Sequence, residues 1–172
     1  NFQYNWQYAL GQWNVGEGEL RLKVGGGVDT RLGFLYNMRN SNNPAQAYGQ
    51  VNIAPNAVAA YRFRLRNLPF QLRYEVQVPL IGLTFSPNYG QSYYEIFTRD
   101  NYDHNLVVTS PVSAPSLRQQ LTLDFTVRHT TFRIGYLGDY QQAKINQLRQ
   151  HVWSNLLVLG IVRKFSINKF IP

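Results

Sequence analysis

From Glu19 to Tyr36 the chain holds a single alternation without a slip. Its even positions are Leu20, Leu22, Val24, Gly26, Val28, Thr30, Leu32, Phe34 and Tyr36. Its odd positions are Glu19, Arg21, Lys23, Gly25, Gly27, Asp29, Arg31, Gly33 and Leu35. A helix would scatter these two sets around its circumference, whereas an extended strand sends them to opposite faces. Nothing helical can present this pattern, so a long, two-faced β-strand is the starting point.

The pattern recurs. Phe2, Tyr4, Trp6 and Tyr8 alternate with Asn1, Gln3, Asn5 and Gln7. Similar alternations run over Val51–Leu65, Gln71–Thr84, Leu117–Val127 and Phe132–Tyr140, while Val152–Phe165 is apolar on both faces. Seven strands result, with connections expected at 12–18, 37–50, 66–70, 86–116, 129–131 and 141–151. Short and long connections alternate, as in an up-and-down barrel with tight turns at one end. The segment Met38–Pro44 and the stretch 86–116 carry the Pro, Asn and Ser of irregular chain. At 172 residues, without linker or repeat, residues 1–172 are read as one β-barrel domain.

Composition narrows the class. Only 15% of residues are charged, against roughly 25% in ordinary soluble domains, while aromatics also reach 15%. No apolar run approaches the length of a transmembrane helix, about 18 residues or more. Having no cysteine, the chain has no disulfide scaffold, thiol nucleophile or Cys-ligated zinc. Lys and Arg total 17 against 9 Asp and Glu, and 13 of the 17 are Arg. Arg suits partly buried, hydrogen-bonded sites better than the strongly hydrated Lys. These arginines alternate singly with apolar residues and form no cluster, so the net charge of +8 does not read as a nucleic-acid patch.

The polar rows define an expected lumen network of Arg21, Arg31, Arg62, Arg64, Arg73, Glu75, Arg118, Asp124, Arg128, Arg133 and Asp139. Charges of both signs in a narrow interior must pair. Aromatics near the ends of apolar rows (Tyr4, Trp6, Tyr8; Phe34, Tyr36; Tyr136, Tyr140; Trp153) fit a membrane interface. The expected fold is all-β: an antiparallel up-and-down transmembrane β-barrel of about eight strands or more, seven of them clear. A soluble antiparallel barrel with its apolar face inward is the alternative.

Two segments carry a resemblance. Pro79-Leu80-Ile81-Gly82-Leu83-Thr84-Phe85-Ser86-Pro87-Asn88-Tyr89-Gly90-Gln91-Ser92-Tyr93-Tyr94-Glu95-Ile96-Phe97 and Arg39-Asn40-Ser41-Asn42-Asn43-Pro44-Ala45 are similar to an uncharacterised bacterial outer-membrane-type β-barrel family, a domain of unknown function. The resemblance implies a barrel in the bacterial envelope. It implies no catalytic motif.

Chemistry-bearing residues are sparse. His104, with Asp100, Asp103 and Ser110 in the long loop, and His129 at a tight turn have the residue types of a hydrolase or acyltransferase site. A polar outer loop is the preferred reading of them. Tyr93 and Tyr94 are candidates for a binding platform or for loop packing. Gly25-Gly26-Gly27 lacks the Lys-Ser/Thr of a phosphate loop and reads as a point of bending or close approach. No cofactor and no metal site are expected. The expected function is an integral outer-membrane protein with a structural, binding or accessory role. Its expected partners are outer-membrane lipid and lipopolysaccharide, possibly also other envelope proteins, and no nucleic acid. A membrane-embedded lipid- or lipopolysaccharide-modifying enzyme, a soluble β-barrel binding protein and a narrow pore are the alternatives. Single-chain bacterial barrels have even strand numbers, so seven strands lead to the expectation of at least one more upstream of Asn1. Taking Ser92–Phe97 as an eighth strand is the competing account.

Overall fold

A computed structural model describes residues 1–36, 45–128 and 130–163. Its strands are β1 (Phe2–Val15), β2 (Gly18–Tyr36), β3 (Ala45–Leu65), β4 (Leu68–Gln77), β5 (Ile81–Phe85), β6 (Leu106–Thr109), β7 (Ser116–Val127), β8 (Thr130–Ile145) and β9 (Leu148–Arg163). One short helix, α1 (Tyr93–Thr98), lies between β5 and β6. The strands form one antiparallel sheet with the path β1-β2-β3-β4-β7-β8-β9, while β5 pairs with β3 and β6 with β5. The path is up-and-down, and the sheet is open: β1 and β9 form no ladder with each other among the described residues.

Turn chemistry sets the hairpins. Arg66 and Asn67 join β3 to β4 with φ of 48° and 66°, and Asn146 and Gln147 join β8 to β9 with φ of 50° and 62°. Two consecutive left-handed residues match the twist of the flanking strands. The second of these turns corrects the expectation of a long connection over 141–151. Polar residues there, such as Gln142, Lys144 and Arg149, continue the β8–β9 ladder to Ile145↔Leu148. Polar residues on the outer face of a strand carry the same local signal as a loop. The expected loop 37–50 also shrinks, since β3 begins at Ala45; residues 37–44, His129, Phe165 and Phe170 lie outside the described residues.

The expected strand Gln71–Thr84 is broken at Val78–Leu80, yet its ladder continues. Val78 N donates to Pro55 O at 3.1 Å and Leu80 N to Ile53 O at 3.0 Å. One edge of β3 is therefore shared by β4 and β5. Ser92–Phe97 is not a wall strand. The Ser92 side chain accepts from Glu95 N, and the Glu95 carboxylate accepts from Ser92 N, a capping box that starts α1.

The sheet is inverted relative to a soluble domain. Along β3, Val51, Ile53 and Pro55 are exposed while Asn52, Ala54 and Asn56 are buried. Among the described residues, buried polar groups (Asp29, Arg31, Gln50, Asn52, Asn56, Gln77, Thr122, Asp124 and Asp139 among them) outnumber the buried apolar Ala54, Val58, Ile96, Ala114 and Ile145. On the apolar rows of the alternating strands, Val24, Leu121, Ile134 and Tyr136 are exposed. Leu20, Leu22, Tyr61, Phe63, Leu123 and Phe125 are half-buried, with Tyr61, Phe63 and Phe125 in a row of stacked rings. The outer face of β9 carries Trp153, Leu157, Leu159 and Ile161, each 65–72% exposed.

Curvature brings non-adjacent strands together. Gln3 Nε2 on β1 donates to Gln77 Oε1 on β4 at 2.8 Å, and Tyr48 OH on β3 donates to Gln141 Oε1 on β8 at 3.1 Å. The register also staggers. Following hydrogen-bonded partners from Asp139 through Arg118, Gln77 and Asn56 leads to Gly25 on β2. Asp139 instead meets Arg31, six residues further along β2. Strands tilted across a coiled sheet produce this offset. Close approach at the glycines assists it: a Cβ on Gly25 would stand 1.8 Å from Trp6 O, and one on Gly27 2.3 Å from Tyr4 O.

Candidate functional site

The interior face is a charge network built by two routes. Within a strand, residues two apart share a face, which pairs Glu19 with Arg21, Asp29 with Arg31 and Arg73 with Glu75. Across strands, directly opposed residues pair: Arg118 with Asp139 at 3.1 Å, and Arg133 with Asp124 through two bonds of 2.7 Å.

The deepest cluster joins opposite walls. Arg31 Nε lies 2.6 Å from Asp29 Oδ2, and Arg31 Nη1 lies 3.4 Å from Asp139 Oδ1. Asp139 also accepts from Arg118 and from Gln141 Nε2 at 3.2 Å. Gln3 Nε2 reaches Asp29 at 3.4 Å. The Tyr48 hydroxyl, with one proton to give, lies within hydrogen-bond distance of both Gln141 Oε1 and Gln50 Oε1. Two arginines and two aspartates cancel in charge, and carboxamides take up further hydrogen-bonding positions, which is what burial of ions requires. Asp29 is fully buried and Arg31 is 5% exposed.

Toward the tight turns the interior opens into a cavity of about 1020 Å³ lined by Glu17, Glu19, Arg62, Arg64, Asp124 and Arg133, among others. Arg62 Nε donates to the neutral Gln71 Oε1 at 2.9 Å. Arg64 and Lys23, on the same inner rows, have no carboxylate within ion-pair distance among the described residues. Arg128 sits in the β7–β8 turn with φ of 56°, exposed, beyond the end of the inner row.

The opposite end carries a folded lobe. Phe85, Tyr93 and Phe97 stack with centroids 6.0–6.5 Å apart. The Tyr93 hydroxyl accepts from Ala47 N at 2.5 Å. Burial pushes the Tyr93 phenol above its ordinary pKa. Tyr93 is thus a packing residue in this arrangement, while Tyr94 is exposed beneath the Arg99 guanidinium, 5.6 Å from its ring centroid. Asn105 Nδ2 donates to Gln91 Oε1 at 2.7 Å, and Asn146 Nδ2 donates to Ser86 O and His104 O, each at 3.0 Å. Carboxamides therefore tie the lobe to the β8–β9 turn.

The His104 imidazole meets the Asp103 carboxylate on the open surface of this lobe, the two side chains 85% and 67% exposed. Ser110 N donates to Ser113 Oγ at 3.0 Å, and no hydrogen bond joins the Ser110 hydroxyl to His104 among the described residues. Asp100 lies in the same loop with φ of 52°. The described residues bring no hydroxyl nucleophile to this pair and hold no group of three or more metal-ligating side chains. What the interior can do chemically is hold charge and fix the spacing of its walls.

Tyr48, Gln50, Gln77 and Gln141 escaped the reading of the sequence, which followed charges. The amides at alternate positions of the first strand were the available signal, since inner faces here use carboxamides as freely as ions.

Comparison with curated proteins and with solved structures returns no match. A family model does match, over residues 1–170, and it is described as a protein of unknown function; the chain belongs to that family, DUF3316.

Proposed function

We propose that this chain forms the wall of a β-barrel in a bacterial outer membrane, with a structural, binding or accessory role and a lumen closed by its own side chains. One observation carries the reading: polar and charged residues are buried inside the curled sheet while large apolar residues cover its outside. In water that distribution would expose apolar surface far beyond the few hundred Å² usual for a monomer's largest patch. In lipid it is the expected arrangement. The outer row of β9 from Trp153 to Ile161, interrupted by Asn155, covers eight residue steps, about 26 Å of extended chain, which a tilt of about 40° turns into about 20 Å of height, the greater part of the roughly 25 Å apolar band of such barrels. The Arg31 cluster blocks the upper lumen, which favours a scaffold or binding role over a pore. Lipid and lipopolysaccharide are the partners this surface suits.

Leu157→Lys and Leu159→Lys, compared in the protein refolded into bilayers, test the reading. A lipid-facing Lys costs about 2–4 kcal/mol near the midplane, so folding should weaken by that amount. A soluble domain would accept either Lys at such exposed positions with little change. A monomer that folds in detergent-free buffer and tolerates both would overturn the membrane assignment.

A further inference from the structure

We infer that the cavity at the tight-turn end binds a soluble phosphate monoester, gripped by Arg62 and Arg64. The register builds the site in two rungs. Glu19, Arg62, Gln71, Asp124 and Arg133 stand directly opposite one another on β2, β3, β4, β7 and β8. Both acids of this rung are engaged, Glu19 by Arg21 and Asp124 by Arg133. Arg62 has Gln71 Oε1 instead, which occupies its Nε and leaves the two Nη groups to a ligand. In the next rung toward the turns, Arg64 faces Pro69 and Thr126 faces Thr131. The two threonine hydroxyls lie 2.8 Å apart, so one donates to the other and one proton remains for a ligand. Arg62, Arg64, Thr126 and Thr131 all line the cavity of about 1020 Å³.

All nine Asp and Glu side chains of the sequence lie among the described residues, so residues 37–44, 129 and 164–172 add no acid to this end. Five of the nine pair with arginines along the interior. Glu95, Asp100 and Asp103 belong to the lobe at the opposite end. Glu17 of the β1–β2 turn remains; it lines the cavity but makes no ion pair with Arg62 or Arg64. Against it stand Arg62 and Arg64 inside, and Arg66 and Arg128 in the turns. The surplus at the mouth is therefore two adjacent guanidiniums. A carboxylate occupies one such fork. A phosphate monoester carries about −1.5 to −2 charges at pH 7 and three terminal oxygens, enough for two forks and a hydroxyl. Ligand pockets commonly measure about 300–1,000 Å³, so this cavity holds more than the phosphate itself, and Asn14 and Gln71 on its walls suit a polar body. The site lies on the inner face, so it does not depend on what the outer face meets.

Titration of the full-length folded protein with glycerol phosphate at fixed ionic strength, read by calorimetry and by phosphorus NMR, tests the assignment. One saturable site per chain is expected. Arg62→Gln and Arg64→Gln should each weaken it by about tenfold or more, the loss of a charge-assisted contact. Arg64→Lys should recover only part, because an ammonium lacks the planar fork. Arg128→Gln removes the same charge from a turn at the same end and should change binding by less than about twofold, since a solvent-exposed charge outside the cavity is screened. The urea midpoint in phosphate-free buffer keeps a folding defect from passing as lost binding. Phosphatidic acid in phosphocholine micelles carries the same phosphate on a lipid and should not displace glycerol phosphate. Four results would overturn the proposal: no saturable binding by either readout, equal losses in the Arg62, Arg64 and Arg128 variants, acetate binding as tightly as glycerol phosphate, or displacement by the lipid.

Discussion

The two halves of the interior treat charge differently. In the upper half, Asp29, Arg31 and Asp139 are at most 9% exposed, and each ion meets one of opposite sign. In the lower half the inner rows end in an open cavity, where Arg62 leans on a neutral amide and Arg64 makes no ion pair among the described residues. Desolvation separates the halves. A buried ion without its partner is costly, whereas one that reaches water is not. The upper network is thus a structural clamp between walls, and the lower mouth is a solvated rim.

Removing the shared partner should break the upper half. Asp139→Ala leaves Arg31 and Arg118 without the carboxylate they share, and loss of one partner from a buried pair costs about 3–5 kcal/mol. The measurement is the urea midpoint of the folded protein, with Asp139→Asn as a control that keeps part of the hydrogen bonding. A loss below about 1 kcal/mol would show that water reaches the cluster and that the contrast between halves is false.

The bend that brings the walls together should come next. Gly25→Ala would place a methyl group against Trp6 O, and overpacking of this kind costs about 1–3 kcal/mol. The same urea titration reads the effect. Gly33→Ala is the comparison, because nothing lies within 4 Å of a Cβ there. If both substitutions cost the same, the bend is not set at Gly25.

Arg133→Ala tests the boundary between the halves. Its two-pronged contact with Asp124 is well formed, but the Arg133 side chain is 32% exposed. Solvent screening reduces such a pair, so the expected loss is about 1–2 kcal/mol, with partial rescue by Arg133→Lys because Lys cannot make both bonds. A loss equal to that of Asp139→Ala would show that the Arg133–Asp124 pair is as shielded from water as the upper cluster.

Much of this was legible in the chain. Alternation alone assigned the faces of β2 and β3, and the spacing of Glu19 with Arg21, Asp29 with Arg31 and Arg73 with Glu75 already put those partners on one face. The pairs Arg118–Asp139 and Asp124–Arg133 needed the β7–β8 register, which local sequence does not state. The contact of Arg31 with Asp139 needed strand tilt as well. β9 was ambiguous because its two faces are both apolar, and α1 was hidden inside a stretch read as loop although Ser92 and Glu95 carry the spacing of a capping box.

The smallest effect belongs to the rim. Arg62→Gln and Arg64→Gln each remove a cation that has no carboxylate partner among the described residues, so little attraction is lost. Surface changes of this kind usually stay within about 0.5 kcal/mol. The double substitution should leave the urea midpoint unchanged or raise it slightly, because the two guanidiniums lie two residues apart on one face and repel each other. Added salt should blunt even that gain, since charges open to solvent are screened over about 10 Å at 0.1 M ionic strength. If the double variant instead lost more than about 1 kcal/mol, the rim arginines would be holding an anionic partner in the folded protein, and the lower half would have to be counted with the paired interior.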